Sequence, residues 1–92
     1  MSDSDQRYKH VRSIWAAGDL KSFREILTII PKSIVSKDLG LNYERFLQKI
    51  NKLDLLSFRD VERLSKLTNI DFKSLAGLVI DDIEVEKNGK KK

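Results

Sequence analysis

The sequence predicts an all-α fold, a compact bundle of five to six short helices, and three observations carry that expectation. Apolar residues recur three and four positions apart along most of the chain, the spacing that gathers side chains on one face of a helix. No segment keeps up the apolar–polar alternation of a half-buried strand. One proline, four glycines and several Ser, Asp and Asn residues cut the chain at short intervals, so each helix has room for only a few turns.

Taken in order, Tyr8, Val11, Ile14 and Trp15 form the stripe of a first helix that Gly18 ends. Asp19 is placed to cap a second helix with Leu20, Phe23, Ile26, Leu27 and Ile30 inward, and Pro31 stops it. Pro31 also suits the first turn of a third, which carries Ile34, Val35 and Leu39 and closes on Gly40. Asn42 caps a fourth, with Tyr43, Phe46, Leu47 and Ile50 on its buried stripe. Ser57 caps a fifth, with Asp60 as the capping-box acid and Phe58, Val61, Leu64 and Leu67 inward. Asp71 starts a sixth, with Phe72, Leu75, Leu78 and Val79 inward and Gly77 inside it. The core expected from these stripes contains Phe23, Ile34, Leu39, Phe46, Ile50, Val61 and Leu64. Residues 1–5 read as a disordered N-terminus, 6–80 as a single helical domain, and 81–92, DDIEVEKNGKKK, as an acidic then basic flexible tail.

Ninety-two residues leave room for one small domain. The chain has no cysteine, which excludes disulfides, thiolate metal sites and thiol nucleophiles and suits a reducing cytoplasm. No apolar run reaches the ~18 residues of a membrane span, and the polar, acidic start has no signal-peptide character. His10 is the only histidine, so no Ser–His pairing of recognisable order exists, and Asp81, Asp82, Glu84 and Glu86 lack the glycine turn of a calcium loop. The expectation is a soluble cytoplasmic protein that is not an enzyme, with no metal, no cofactor, no membrane partner and no small-molecule ligand.

The net charge of +4 is unevenly placed. Lys21, Arg24, Lys32, Lys37, Arg45, Lys49 and Lys52 outnumber Glu25, Asp38 and Glu44 by four between residues 21 and 52, and the rest of the chain is balanced. Such local excess makes a positive face for an anionic partner, or else a lysine-rich solvated surface.

Within that stretch lie a two-turn helix, a short turn around Gly40 and a second helix, the arrangement of a DNA-reading helix-turn-helix. The small Ser36 stands where two backbones cross, Gly40 where the chain reverses, and Val35, Leu39, Leu41 and Phe46 where the crossing must be pinned. Through PKSIVSKDLGLNYERFLQKI and SFRDVERLSKLTNID, residues 20 to about 80 resemble the phage-repressor-like (Cro and lambda-repressor type) helix-turn-helix family. The chain is also similar to short bacterial proteins with a KDLGxNYxRF core. Two departures stand out. The family buries an apolar residue three positions after Phe46, where this chain has Lys49; and the glutamines that open the second and third helices in many phage repressors are replaced here by Lys32 or Ser33 and by Tyr43 or Glu44.

The resemblance implies a bacterial transcription regulator that binds double-stranded DNA. With Phe46 and Ile50 inward, the 100° step per residue turns Arg45, Gln48 and Lys52 outward, with Glu44 on the flank. Glu44, Arg45 and Gln48 are then the candidates for base edges, and Lys32, Lys37, Lys49 and Lys52 for phosphates. A homodimer is possible in this reading. The alternative is a protein–protein interaction module of the same fold without DNA binding, in which these residues are an ordinary solvated face.

Overall fold

A computed structural model describes residues 6–87 of the chain. They form an all-α bundle of six helices, with no strand among them: α1 (Gln6–Ala16), α2 (Phe23–Ile29), α3 (Lys32–Asp38), α4 (Tyr43–Asn51), α5 (Phe58–Thr68) and α6 (Phe72–Lys87), with a 3-10 turn at Leu53–Leu55. The core runs through every helix, from Tyr8 and Val11 through Phe23, Ile26, Val35, Phe46, Ile50, Val61 and Leu64 to Leu75 and Val79. Of the residues expected there only Ile34 is half-buried, its neighbour Val35 taking the inner place on α3.

The capping chemistry read from the sequence recurs at most helix ends. Gly18 and Gly40 both adopt positive φ, at 79° and 74°. At each, the glycine N–H donates three residues back and the next N–H five residues back (Gly18 to Trp15 and Asp19 to Ile14; Gly40 to Lys37 and Leu41 to Ser36), which closes a Schellman motif. Asn42, Ser57 and Asp71 accept the N3 amides of α4, α5 and α6, and Asp60 completes a capping box with Ser57. Asp19 is not the cap of α2. That helix begins four residues later, where Ser22 accepts the Glu25 amide, while Leu20 is buried in the extended link instead of on the helix.

Two other expectations are corrected. Residues 81–87 are helical, not a flexible tail: α6 continues to Lys87 because Asp82 is buried and Ile83 half-buried against the bundle. The remainder of the expected tail, and the expected disordered residues 1–5, lie outside the described residues. Phe58 is 83% exposed, Tyr43 47% and Phe72 37%, although the spacing predicts all three on inner stripes. The buried arc of α5 is Asp60, Val61, Leu64 and Thr68, and at 100° per residue Phe58 lies about a quarter-turn away from its centre. Tyr43 opens α4, one turn ahead of its first buried residue.

Gly40 provides a direct test of the turn. A side chain at φ 74° is strained whatever the space around it, and a Cβ there would lie 3.3 Å from the Arg63 guanidinium. Gly40→Val is expected to destabilise the domain by about 2 kcal/mol and to lower Tm by roughly 10 °C. A melting curve matching that of the unmodified protein would refute the left-handed turn.

Candidate nucleic-acid interface

α3 and α4 are held together by apolar contact beneath the turn at residues 39–42. Ser36 is buried at 3% exposure, and its hydroxyl donates to the Ser33 carbonyl, so a polar group at the crossing is satisfied within its own helix. Leu39 and Phe46 are buried on either side of the turn, with Leu41 half-buried between them. Side-chain hydrogen bonds tie the unit to the rest of the bundle. The Tyr8 hydroxyl donates to Asp38 Oδ2 at 2.8 Å, joining α1 to the end of α3. The Arg24 guanidinium donates to the Ile50 carbonyl at 2.8 Å, a cation at the C-terminus of α4 where the helix dipole is negative.

The outward face of α4 is as the helical period requires. Phe46 and Ile50 are buried, whereas Glu44, Arg45 and Gln48 are exposed; Lys52, expected on the same face, is exposed on the extended residue just past the helix. Lys32 and Lys37 are exposed on α3. The Arg45 backbone amide is held by the Asn42 cap at 2.7 Å, which fixes the start of the helix while its side chain remains in solvent. Lys52 borders a shallow cleft of about 320 Å³ together with Asp54, Ile83, Glu86 and Lys87, so acids lie beside it at that edge of the face.

Lys49 is not placed to meet a phosphate. Its ammonium donates to Asp60 Oδ2 at 2.6 Å, with side-chain exposures of 16% for Lys49 and 7% for Asp60. The ion pair joins α4 to the start of α5. Burial by itself would raise the Asp60 pKa; the Lys49 hydrogen bond, the Ser57 amide and the Lys49 charge overcome it and hold the carboxyl below its ordinary value. Arg24 is also drawn away from the surface charge, by Glu86 on α6. Of the seven basic residues that made the sequence between 21 and 52 positive, two are therefore neutralised by acids outside that stretch.

Residues 81–87 of α6 lie beside the contacts that place α4. Arg24 reaches from α2 to Ile50 and Glu86 with its side chain, and its backbone amide donates to Asp82 Oδ2 at 3.0 Å. Burial raises the Asp82 pKa, with added repulsion from Glu86 and Asp81, against the pull of the Arg24 amide and charge. A signal for this role was present in the sequence, since Leu75, Val79 and Asp82 fall on one helical stripe and Ile83 beside it.

Among the described residues no three His, Asp or Glu side chains gather as a metal site, and no helix is long and apolar enough to cross a membrane. No family model matches the chain, and no curated protein or solved structure is significantly similar to it.

Proposed function

We propose that the α3–α4 unit is a repressor-like helix-turn-helix that binds double-stranded DNA, and that the protein acts as a transcription regulator. The observation that carries this reading is the outward face of α4, where Arg45 and Gln48 stand in solvent opposite the buried Phe46 and Ile50. α4 would enter the major groove, with Arg45 donating to guanine O6 and N7, Gln48 pairing with adenine, and Glu44 accepting from cytosine N4. Lys32, Lys37 and Lys52 would meet phosphates. Lys49 belongs to the support of the reading helix through Asp60 and not to the phosphate contacts.

Three phosphate-facing lysines give a definite expectation. Affinity for duplex DNA should fall with log[salt] at a slope of about −3 per monomer. Lys37→Ala should weaken binding to all sequences alike and reduce the slope by about one, whereas Arg45→Ala should relax preference at one base by about 1 to 3 kcal/mol. Mobility shifts over a salt series and over single-base variants of a selected site read both effects. Failure to bind duplex at ~50 mM salt, where such contacts are strong, would overturn the proposal. It would also select a second reading, a protein–protein interaction module, which the exposed Phe58 and Phe72 rings support.

A further inference from the structure

Three helices meet at Arg24. From α2, its guanidinium donates to the Ile50 carbonyl in the last turn of α4 and to Glu86 on α6, while its backbone amide donates to Asp82 Oδ2. The Ile50 carbonyl is among those that the last turn of an α-helix leaves without an intrahelical donor. Lys52 has already left helical geometry, at φ −133° and ψ 93°, and its amide makes the closing bond of α4, to the Gln48 carbonyl. This end has no left-handed glycine of the kind that closes α1 and α3. The donor it takes from outside is the Arg24 guanidinium.

The two acids that hold Arg24 are one turn apart on α6, so both come from the same face of its last two turns. They have different tasks. Asp82 is buried and fixes the backbone of α2 at Arg24. Glu86 pairs with the guanidinium, whose side chain is 42% exposed. A long side chain in solvent loses rotamer freedom when it binds a single carbonyl, and an acid that already holds its planar head reduces that loss.

We propose that Arg24 is a positioning residue for the reading helix, and that through it the last two turns of α6 hold the end of α4 that carries Gln48. The consequence for recognition rests on the DNA-binding reading, whereas the coupling between α6 and α4 does not. Arg24 touches no base in this arrangement. The opposite end of α4 is fixed by its own cap, through the Arg45 amide and Asn42. Loosening the Gln48 end should therefore act on the base read by Gln48 and spare the base read by Arg45.

Arg24→Met keeps most of the aliphatic stem and removes every guanidinium donor, and Glu86→Gln removes the charge that holds it. In the full chain without nucleic acid, amide hydrogen exchange at Ile50, Asn51 and Lys52 should be about tenfold faster in Arg24→Met and about threefold faster in Glu86→Gln. Amides of α1 and α5 should keep their rates. Adding Glu86→Gln to Arg24→Met should change nothing further. On a selected duplex, Arg24→Met should lose about tenfold in discrimination at the base whose preference Gln48→Ala relaxes, and should retain the Arg45 preference and the salt slope of about −3. Exchange that is unchanged at the end of α4, or that rises equally in every helix, would overturn the coupling. An added effect of Glu86→Gln in the double variant would route the influence of α6 through Lys52, which borders the same cleft as Glu86, and would overturn the part given to Arg24. A slope reduced by about one would make Arg24 a phosphate contact instead, and equal losses at both bases would overturn its link to Gln48. If the unmodified chain binds no duplex, the DNA-binding reading fails, and the exchange rates alone decide whether α6 holds α4 through Arg24.

Discussion

Phe46→Ala is expected to lower the unfolding free energy by about 3 to 5 kcal/mol, a large share of the ~5 to 15 kcal/mol available to a small domain. Phe46 has no solvent exposure. It stands on α4 directly after the turn, in one core with Val35 and Leu39 from before the turn and Val61 and Leu64 from α5. Removing the ring leaves a cavity beneath the crossing of α3 and α4, and a domain held without disulfides has only packing to close it. Urea unfolding followed by circular dichroism measures the effect, and a loss below about 1 kcal/mol, the scale of an ordinary surface change, would mean that Phe46 does not anchor the turn. Phe58→Ala provides the comparison. That ring is mostly in solvent, so the same change of residue type should alter monomer stability by about 0.5 kcal/mol or less.

The contrast between these two phenylalanines shows which parts of the fold the sequence made legible. Phe46, Ile50, Val61 and Leu64 repeat at helical spacing on both sides of well-signalled caps, so period and boundary agree and their burial follows. Phe58 and Tyr43 satisfy the same spacing, but each occupies the first residue of its helix. Spacing of three alone fixes a buried arc only to within about a quarter-turn, and on α5 the inner place beside Val61 and Leu64 is taken by Asp60. The C-terminal half of α6 was missed for a related reason. Ile83 and Val85 among acidic residues suggested alternation, yet what decides the outcome is one buried carboxylate, Asp82, paired with an amide 58 residues earlier in the chain. The stripe of Leu75, Val79 and Asp82 is present in the sequence, but the partner that makes burial of an aspartate tolerable is not part of the local pattern.

For the candidate interface, exposure was legible and charge was not. The outward placement of Glu44, Arg45 and Gln48 follows from the burial of Phe46 and Ile50 alone, whereas Lys52 is exposed on the extended residue that ends α4. Lys49 and Arg24 belong to the stretch with the positive charge excess, but both point to acids on other helices. Lys49 carried a warning in its position, three residues after Phe46 and one before Ile50. A lysine on a buried stripe must either extend out to water or find an acid, and the nearest helix beginning with a capping-box carboxylate is α5.

Breaking that pair from its two ends should give unequal results. Asp60→Ala removes the partner of a largely buried ammonium and also one half of the α5 capping box. The expected cost is about 3 kcal/mol, within the range for stranding one member of a buried pair. Lys49→Met leaves Asp60 with the Ser57 amide and the N-terminal end of the helix dipole, and supplies an apolar side chain at a position on the inner stripe. It should cost no more than about 1 kcal/mol and should leave the salt dependence of any DNA binding unchanged. Acid provides an independent check on the same group. Because the Asp60 pKa is lowered on folding, its contribution is fully present above the unfolded carboxylate value of ~3.9 and is lost as pH falls through the lower folded value. The stability difference between the unmodified protein and Asp60→Asn should therefore hold from neutral pH down to about 5 and shrink on further acidification. Equal and small losses for Asp60→Ala and Lys49→Met, with no dependence on pH in that window, would show the pair to be solvated and the start of α5 to be held by packing alone.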